Sequence, residues 1–149
     1  MKKYIAFFGA AAALGFVIAG CGGSENIKGG QLRDTLESEG ETSKYVTAIG
    51  IGGAPADITE STRRKASSRN AAIVAAQYDL VSRLKGVKLE GGVTIERAME
   101  TDSKIKATVD AMIKGANVAK TEWTNDDGCV VTLQLNKKEL GRELGKSLE

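Results

Sequence analysis

Val118–Leu135 reads VAKTEWTNDDGCVVTLQL, two alternating apolar runs around Asn125-Asp126-Asp127-Gly128. Alternation at a period of two marks strands, and an Asp-Gly pair between them supplies the backbone freedom a tight hairpin turn needs. The pattern predicts strands over Val118–Thr124 and Cys129–Leu135. It sets Ala119, Thr121 and Trp123 on one face of the first strand and Cys129, Val131, Leu133 and Leu135 on one face of the second. Those two faces should share the core.

Upstream of this hairpin, Ile105, Val109, Met112 and Ile113 recur at helical spacing between Asp102 or Ser103, either of which can cap a helix, and Gly115. Before that helix, Val87, Leu89, Gly91-Gly92, Val93, Ile95 and Met99 read as an interrupted strand with a bulge. A long helix is predicted over Ile58–Lys85. Asp57 is its N-cap, Glu60 completes a capping box, and Gly86 is the residue beyond its end. Its apolar stripe is Ala66, Ile73, Leu80, Val81 and Leu84; Asn70 and Gln77 fall on the same stripe. They should bond internally or mark where the stripe reaches water; internal structural bonds are favoured over ligand contacts, and both residues are kept as candidate contact residues.

Tyr45–Ile51 alternates Tyr45, Thr47, Ile49 and Ile51 with Val46, Ala48 and Gly50, a strand with one larger face. After the hairpin, Leu140, Leu144 and Leu148 lie four apart and suggest a terminal helix weakened by Gly141 and Gly145. The expected fold is α+β in two layers, a mainly antiparallel sheet with the long helix and a shorter helix packed on one face, in the order strand, helix, strand, helix, hairpin. The domain should occupy residues 45–149.

The N-terminus states an address. Lys2 and Lys3 are followed by an uncharged apolar run, then Ile18, Ala19 and Gly20 lead into Cys21. Those features define a lipoprotein signal over residues 1–20, with Ile18, Ala19 and Gly20 recognised by the peptidase and the Cys21 thiol accepting a diacylglyceryl group. The seventeen uncharged residues Tyr4–Gly20 fall short of the ~20 a spanning helix needs. Two or three acyl chains hold a protein stably where one does not. Residues 21–44, rich in Gly, Ser, Glu and Thr, read as the lipidated cysteine and a tether, with a short helix allowed over Gln31–Glu39.

Removing residues 1–20 leaves 129 residues, one domain with a core of its own, and a balance of 19 basic against 19 acidic side chains. Nucleic acid is therefore not an expected partner, because backbone binding needs clustered positive charge. The chain has no His, so the usual general base and commonest transition-metal ligand are missing, and no carboxylates or lysines fall in a catalytic or metal-binding motif. No catalytic residue, cofactor or metal is assigned, and an enzyme is not expected.

Three motifs reduce to structure. Gly50-Ile51-Gly52-Gly53-Ala54-Pro55 sits where a dinucleotide fingerprint would, but Pro55 occupies its third glycine. The Asn125–Gly128 turn resembles part of a calcium loop, yet Trp123 and Gln134 fall at its first and last ligand positions. Cys129 lies among strand apolars with no base to activate it and reads as a buried thiol. Arg63, Arg64, Lys65 and Arg69 make the first half of the long helix basic; Arg63, Arg64 and Arg69 are retained as candidate contact residues, although helical spacing spreads them around the cylinder.

Ala66–Leu84 (ASSRNAAIVAAQYDLVSRL) and Gly115–Leu135 (GANVAKTEWTNDDGCVVTLQL), taken with the lipobox, resemble the LPP-twenty lipoprotein family. In that family an alanine-rich helix follows a glycine-containing first strand, and a late hairpin carries a Trp-x-x-x-Asp-Gly-like turn before a Val-rich strand. Trp123, Asp127, Gly128, Val130 and Val131 occupy those places. The likeness covers roughly Tyr45–Leu135 and departs at Cys129, near which such strands often present a tyrosine.

The resemblance implies a small envelope lipoprotein, surface-associated and antigenic in some members and attached to the outer-membrane part of the flagellar apparatus in others. It brings no active site. Gly22 after the cysteine, where inner-membrane lipoproteins often carry Asp, implies the outer membrane in a diderm cell. The expected function is a non-catalytic module held to a membrane through Cys21 and presented to an envelope protein or to copies of itself. The alternatives are a periplasmic binding module for a small molecule, glycan or lipid, and a flagellum-associated assembly component.

Overall fold

The computed structural model describes residues 24–26 and 40–149. Ile18, Ala19, Gly20 and Cys21, and the short helix expected over Gln31–Glu39, lie outside the described residues. The chain is α+β, with four helices among the described residues and a sheet whose centre is three antiparallel strands.

The elements run β1 (Ser24–Asn26), β2 (Gly40–Glu41), β3 (Tyr45–Gly52), α1 (Ser61–Lys85), α2 (Ile95–Thr101), α3 (Ser103–Lys114), β4 (Asn117–Trp123), β5 (Cys129–Asn136) and α4 (Lys137–Leu144). Strand order is β1-β4-β5-β3-β2, with β5 antiparallel to both long neighbours and β1 parallel to β4. Thus two pieces of the stretch read as a tether carry ladder hydrogen bonds at the sheet's two edges. Backbone pairing of this kind leaves no mark in side-chain composition.

The hairpin forms as its alternation predicts, with one adjustment. A register shift between Val118 and Lys120 makes Ala119 the extra residue of a bulge. Val118 therefore opposes Leu133, while Thr121 and Trp123 oppose Val131 and Cys129.

The smaller face of β3 meets α1. Val46, Ala48, Gly50 and Gly52 are paired with Leu135, Leu133, Val131 and Cys129 and share their side of the sheet. A Cβ on Gly50 would collide with the Ala72 carbonyl and Ala76 backbone, and one on Gly52 with the Ser68 carbonyl and Ala72 amide. The helix thus lies backbone against backbone at this end, which only glycine permits.

The buried stripe of α1 follows from that contact: Ser68, Ala72, Ala76, Leu80 and Leu84. Ala66 and Asn70, expected on the stripe, are exposed, and Ile73 and Val81 lie at its margin. Ala and Ser carry little hydropathy, so a moment-based reading drifts off the face the strand selects. At the other end Leu80 and Leu84 join Val46, Ala48, Leu89, Ile95, Val109, Ile113, Leu135 and Leu140 in the larger core cluster.

The long helix ends at Lys85 as expected, but its start differs. The long helix starts at Ser61 rather than Ile58; Glu60, not Asp57, holds the N-cap position and makes no side-chain cap. The reason is Arg64, whose guanidinium binds the Pro55 carbonyl at 2.9 Å and the Ile58 carbonyl at 3.3 Å and fixes the approach outside helical geometry. Gly86 ends the helix in right-handed conformation, so no left-handed cap is used there.

The interrupted strand over Val87–Met99 is instead a turn followed by a helix. Gly91 and Gly92 take positive φ, isolated bridges join Lys88 to Thr94 and Leu89 to Leu148, and Thr94 caps α2 by accepting from the Arg97 amide. Ile95 and Ala98, three apart, are buried, a spacing that suits the helix and breaks the strand pattern. Asp102 caps α3 as expected, accepting from the Lys104 and Ile105 amides. The terminal helix forms over Lys137–Leu144 with Asn136 at its N-cap and left-handed Gly145 after it.

Candidate functional site

A groove of about 330 Å³ runs between α1 and α3. Its floor is Val81 and Ile113, its polar rim Gln77, Asp110 and Lys114, and above it stand Val74 and Tyr78. Val74 is 49% exposed and Tyr78 75%, next to a floor residue, Ile113, that is 4% exposed. Positions 74, 78 and 81 recur at helical spacing on the face of α1 turned away from β3. The groove is open, apolar at its base and wide enough to take a side chain of a partner surface.

The residues singled out from sequence do not gather into one site. Gln77 lines the groove. Asn70, two turns earlier, is exposed, so the two amides do not form a common pocket. Arg63 is three-quarters exposed and 3.9 Å from Glu60, an ion pair of little energetic weight.

Arg64 belongs to the structure. Besides the Pro55 and Ile58 carbonyls, it donates to the Asp126 carbonyl at 2.9 Å and to the Asp127 carboxylate at 3.1 Å. Ser61 and Ser68 hydroxyls donate to the Asp127 carboxylate and carbonyl at 3.0 and 2.7 Å. The start of α1 is thereby clamped to the hairpin turn. Arg69 is partly buried near Cys129, whose fully buried thiol is pushed up from its ordinary pKa by desolvation, opposed by the Arg69 charge. An inert structural thiol is the consequence.

No family model, curated protein or solved structure matches this chain. Among the described residues no group of three or more Asp, Glu or Cys side chains is placed to hold a metal ion. No helix of the described residues is long and apolar enough to cross a membrane.

Two further features were not anticipated. Glu122 is 2% exposed on the sheet side away from α1, with Lys120 Nζ 2.6 Å from its carboxylate. A buried carboxylate two residues from a lysine on one strand face is visible in sequence as the pair Lys120/Glu122, yet its burial is not. The second is a larger, polar groove of about 730 Å³ beside α4, walled by Lys137, Lys138, Arg142 and Lys146 against Glu90 and Glu149. Three of its cations come from the terminal helix and Lys146 follows it.

Proposed function

We propose that this chain is a lipid-anchored cell-envelope protein of LPP-twenty type, non-catalytic, whose two-layer domain pairs with a second copy of itself through the α1–α3 groove. Lipidation falls on Cys21 after cleavage behind Ile18, Ala19 and Gly20, and in a diderm cell the anchor lies in the outer membrane. The observation that carries the pairing is Tyr78, three-quarters exposed beside an apolar groove. Tyrosine on a helix rim offers large contact area at small entropic cost, and such residues dominate interface energetics.

Self-pairing is favoured by charge. Asp110 and Lys114 stand one turn apart on the same wall, so a two-fold copy running antiparallel sets each Lys114 opposite the other Asp110. The ligand-binding alternative, motivated by the Asn70 and Gln77 stripe and the basic start of α1, keeps only Gln77 on a groove wall, with Asn70 exposed outside it and Arg64 turned onto the hairpin.

The test uses the full chain and its Cys21→Ala variant expressed in bacteria, read by intact mass and detergent partitioning, with sedimentation of the purified protein. Acyl mass on wild type alone, together with a dimer that Tyr78→Ala weakens by roughly thirtyfold, the size of a hot-spot loss near 2 kcal/mol, is the expected result. Absence of acyl mass overturns the anchoring; a monomer at high concentration overturns the pairing.

A further inference from the structure

Three side-chain amides gather where β3 and β4 begin and β5 ends. Asn117 pairs with Gln134 across β4 and β5, and Tyr45 with Asn136 across β3 and β5. Gln134 and Asn136 are two apart on one strand, so all four residues share a sheet face. They line a partly enclosed groove of about 320 Å³, with Met112 near the end of α3 and Glu139 on α4 completing its walls. The groove takes the flank of α3 opposite Asp110, Ile113 and Lys114, so it is separate from the groove beneath Tyr78.

Only part of this polar set serves the fold. Asn136 Oδ1 accepts the Lys138 and Glu139 amides at 2.9 and 3.3 Å as the cap of α4, which leaves its Nδ2 to donate elsewhere. Among the described residues the Asn117 and Gln134 side chains make no hydrogen bond, although Gln134 is half-buried. A carboxamide offers a donor and an acceptor side by side, which matches two adjacent hydroxyl groups. The only ionisable lining residues are Tyr45 and Glu139, and Arg142 stands 3.5 Å from the Glu139 carboxylate. No cation lines the groove to balance an anionic ligand; Lys44 Nζ, 5.1 Å from the Tyr45 ring centroid, is not on its wall. A wholly apolar ligand would strip water from three amides and return no hydrogen bond. The Tyr45 ring and Met112 nonetheless supply apolar surface, so the fitting ligand is neutral, hydroxylated and apolar on one face.

We propose that this groove is a binding site for one neutral hexopyranose unit. Asn117 and Gln134 bond neighbouring hydroxyls, Asn136 donates through Nδ2, and the Tyr45 ring and Met112 cover the C–H face of the sugar ring. The groove's volume lies near the lower end of the roughly 300–1,000 Å³ of small-molecule sites, which suits a single ring. The site depends on neither the acyl anchor nor the self-pairing.

The test is an NMR titration of the isotope-labelled full chain, held in a sugar-free zwitterionic detergent. The probes are glucose, galactose and N-acetylglucosamine and their methyl glycosides, with glycerol and glucose 6-phosphate for contrast. The side-chain amide signals of Asn117, Gln134 and Asn136 are followed. Saturating shifts there with at least one neutral sugar, at a Kd on the order of 1 mM, and none with glycerol are the expected result. Binding kept by the methyl glycoside assigns the site to a sugar within a chain, and binding lost on methylation assigns it to a free sugar. Gln134→Leu and Asn117→Ala should each weaken that titration about tenfold. Unmoved amide signals with every neutral sugar, shifts confined to Gln77, or tighter binding of glucose 6-phosphate overturn the inference. The wild-type titration decides it whether or not either variant folds.

Discussion

At one end of the α1–sheet contact, Gly50 and Gly52 let the helix backbone touch the strand; at the other, Leu80 and Leu84 fill a core shared with α2, α3 and α4. The same helix and strand are thus held in two ways. The glycine end has no volume to give, and its charges are spent inward on the Arg64–Asp127 clamp. At the leucine end the interior is apolar, and on the outside of α4 Arg142 pairs with Glu139 and Glu143. Close approach leaves α1 one register on the sheet, while the larger core sets how stable that register is.

The largest effect should come from adding volume where none exists. Gly50→Ala or Gly52→Ala drives a methyl into backbone rather than into a yielding side chain, so the loss in urea unfolding should exceed both the usual ~1–3 kcal/mol of overpacking and the Leu80→Ala loss that follows. If either variant unfolds with the wild-type midpoint, the two ends are not different in kind. Leu80→Ala removes volume instead and should cost about 2–5 kcal/mol, measured the same way, without moving α1 on the sheet.

Arg64→Met keeps the stem and removes the guanidinium, leaving the partly buried Asp127 carboxylate with Ser61 and Lys65 only and taking the donor from three carbonyls. A loss of about 1–3 kcal/mol is expected, together with faster exchange at the hairpin turn and at the start of α1, but not in α4. Loosening that extended to α4 would merge the two ends into one unit.

The smallest effect concerns pH. The Thr124 hydroxyl, and after it backbone amides, hold the exposed Asp126 carboxyl below its ordinary pKa. A lowered folded-state pKa stabilises above the unfolded value near 4 and loses that contribution as pH falls through the folded one. Thr124→Val should therefore weaken the protein slightly at neutral pH, with the gap closing in acid. A gap independent of pH would assign the effect to packing.

Much of this arrangement was legible in the residues. Period-two alternation and Asp127-Gly128 mark the hairpin, and Asp102 and Gly115 bracket α3, because each signal is local. The stripe of α1 was not, since Ser68, Ala72 and Ala76 are selected by glycines on a strand elsewhere in the chain. Arg64 read as a surface cation because its carboxylate partner lies 63 residues away. The helix at Ile95 was hidden by a Val87–Met99 spacing that suits a strand until Gly91 and Gly92 turn the chain. Of the candidate site, Gln77 stands out in the sequence as a polar break in the stripe, where internal bonding is the favoured expectation and the structure puts it on a groove wall instead; Tyr78 does not stand out, because an exposed aromatic gains meaning only beside α3.

The most direct test of the account places a photo-crosslinking amino acid at position 78 of the full chain in living bacteria, with position 63 as the contrast. Self-pairing through the groove predicts a dimer of this chain from position 78 and none from position 63. Only monomer from position 78, or capture there of a different protein alone, would contradict it.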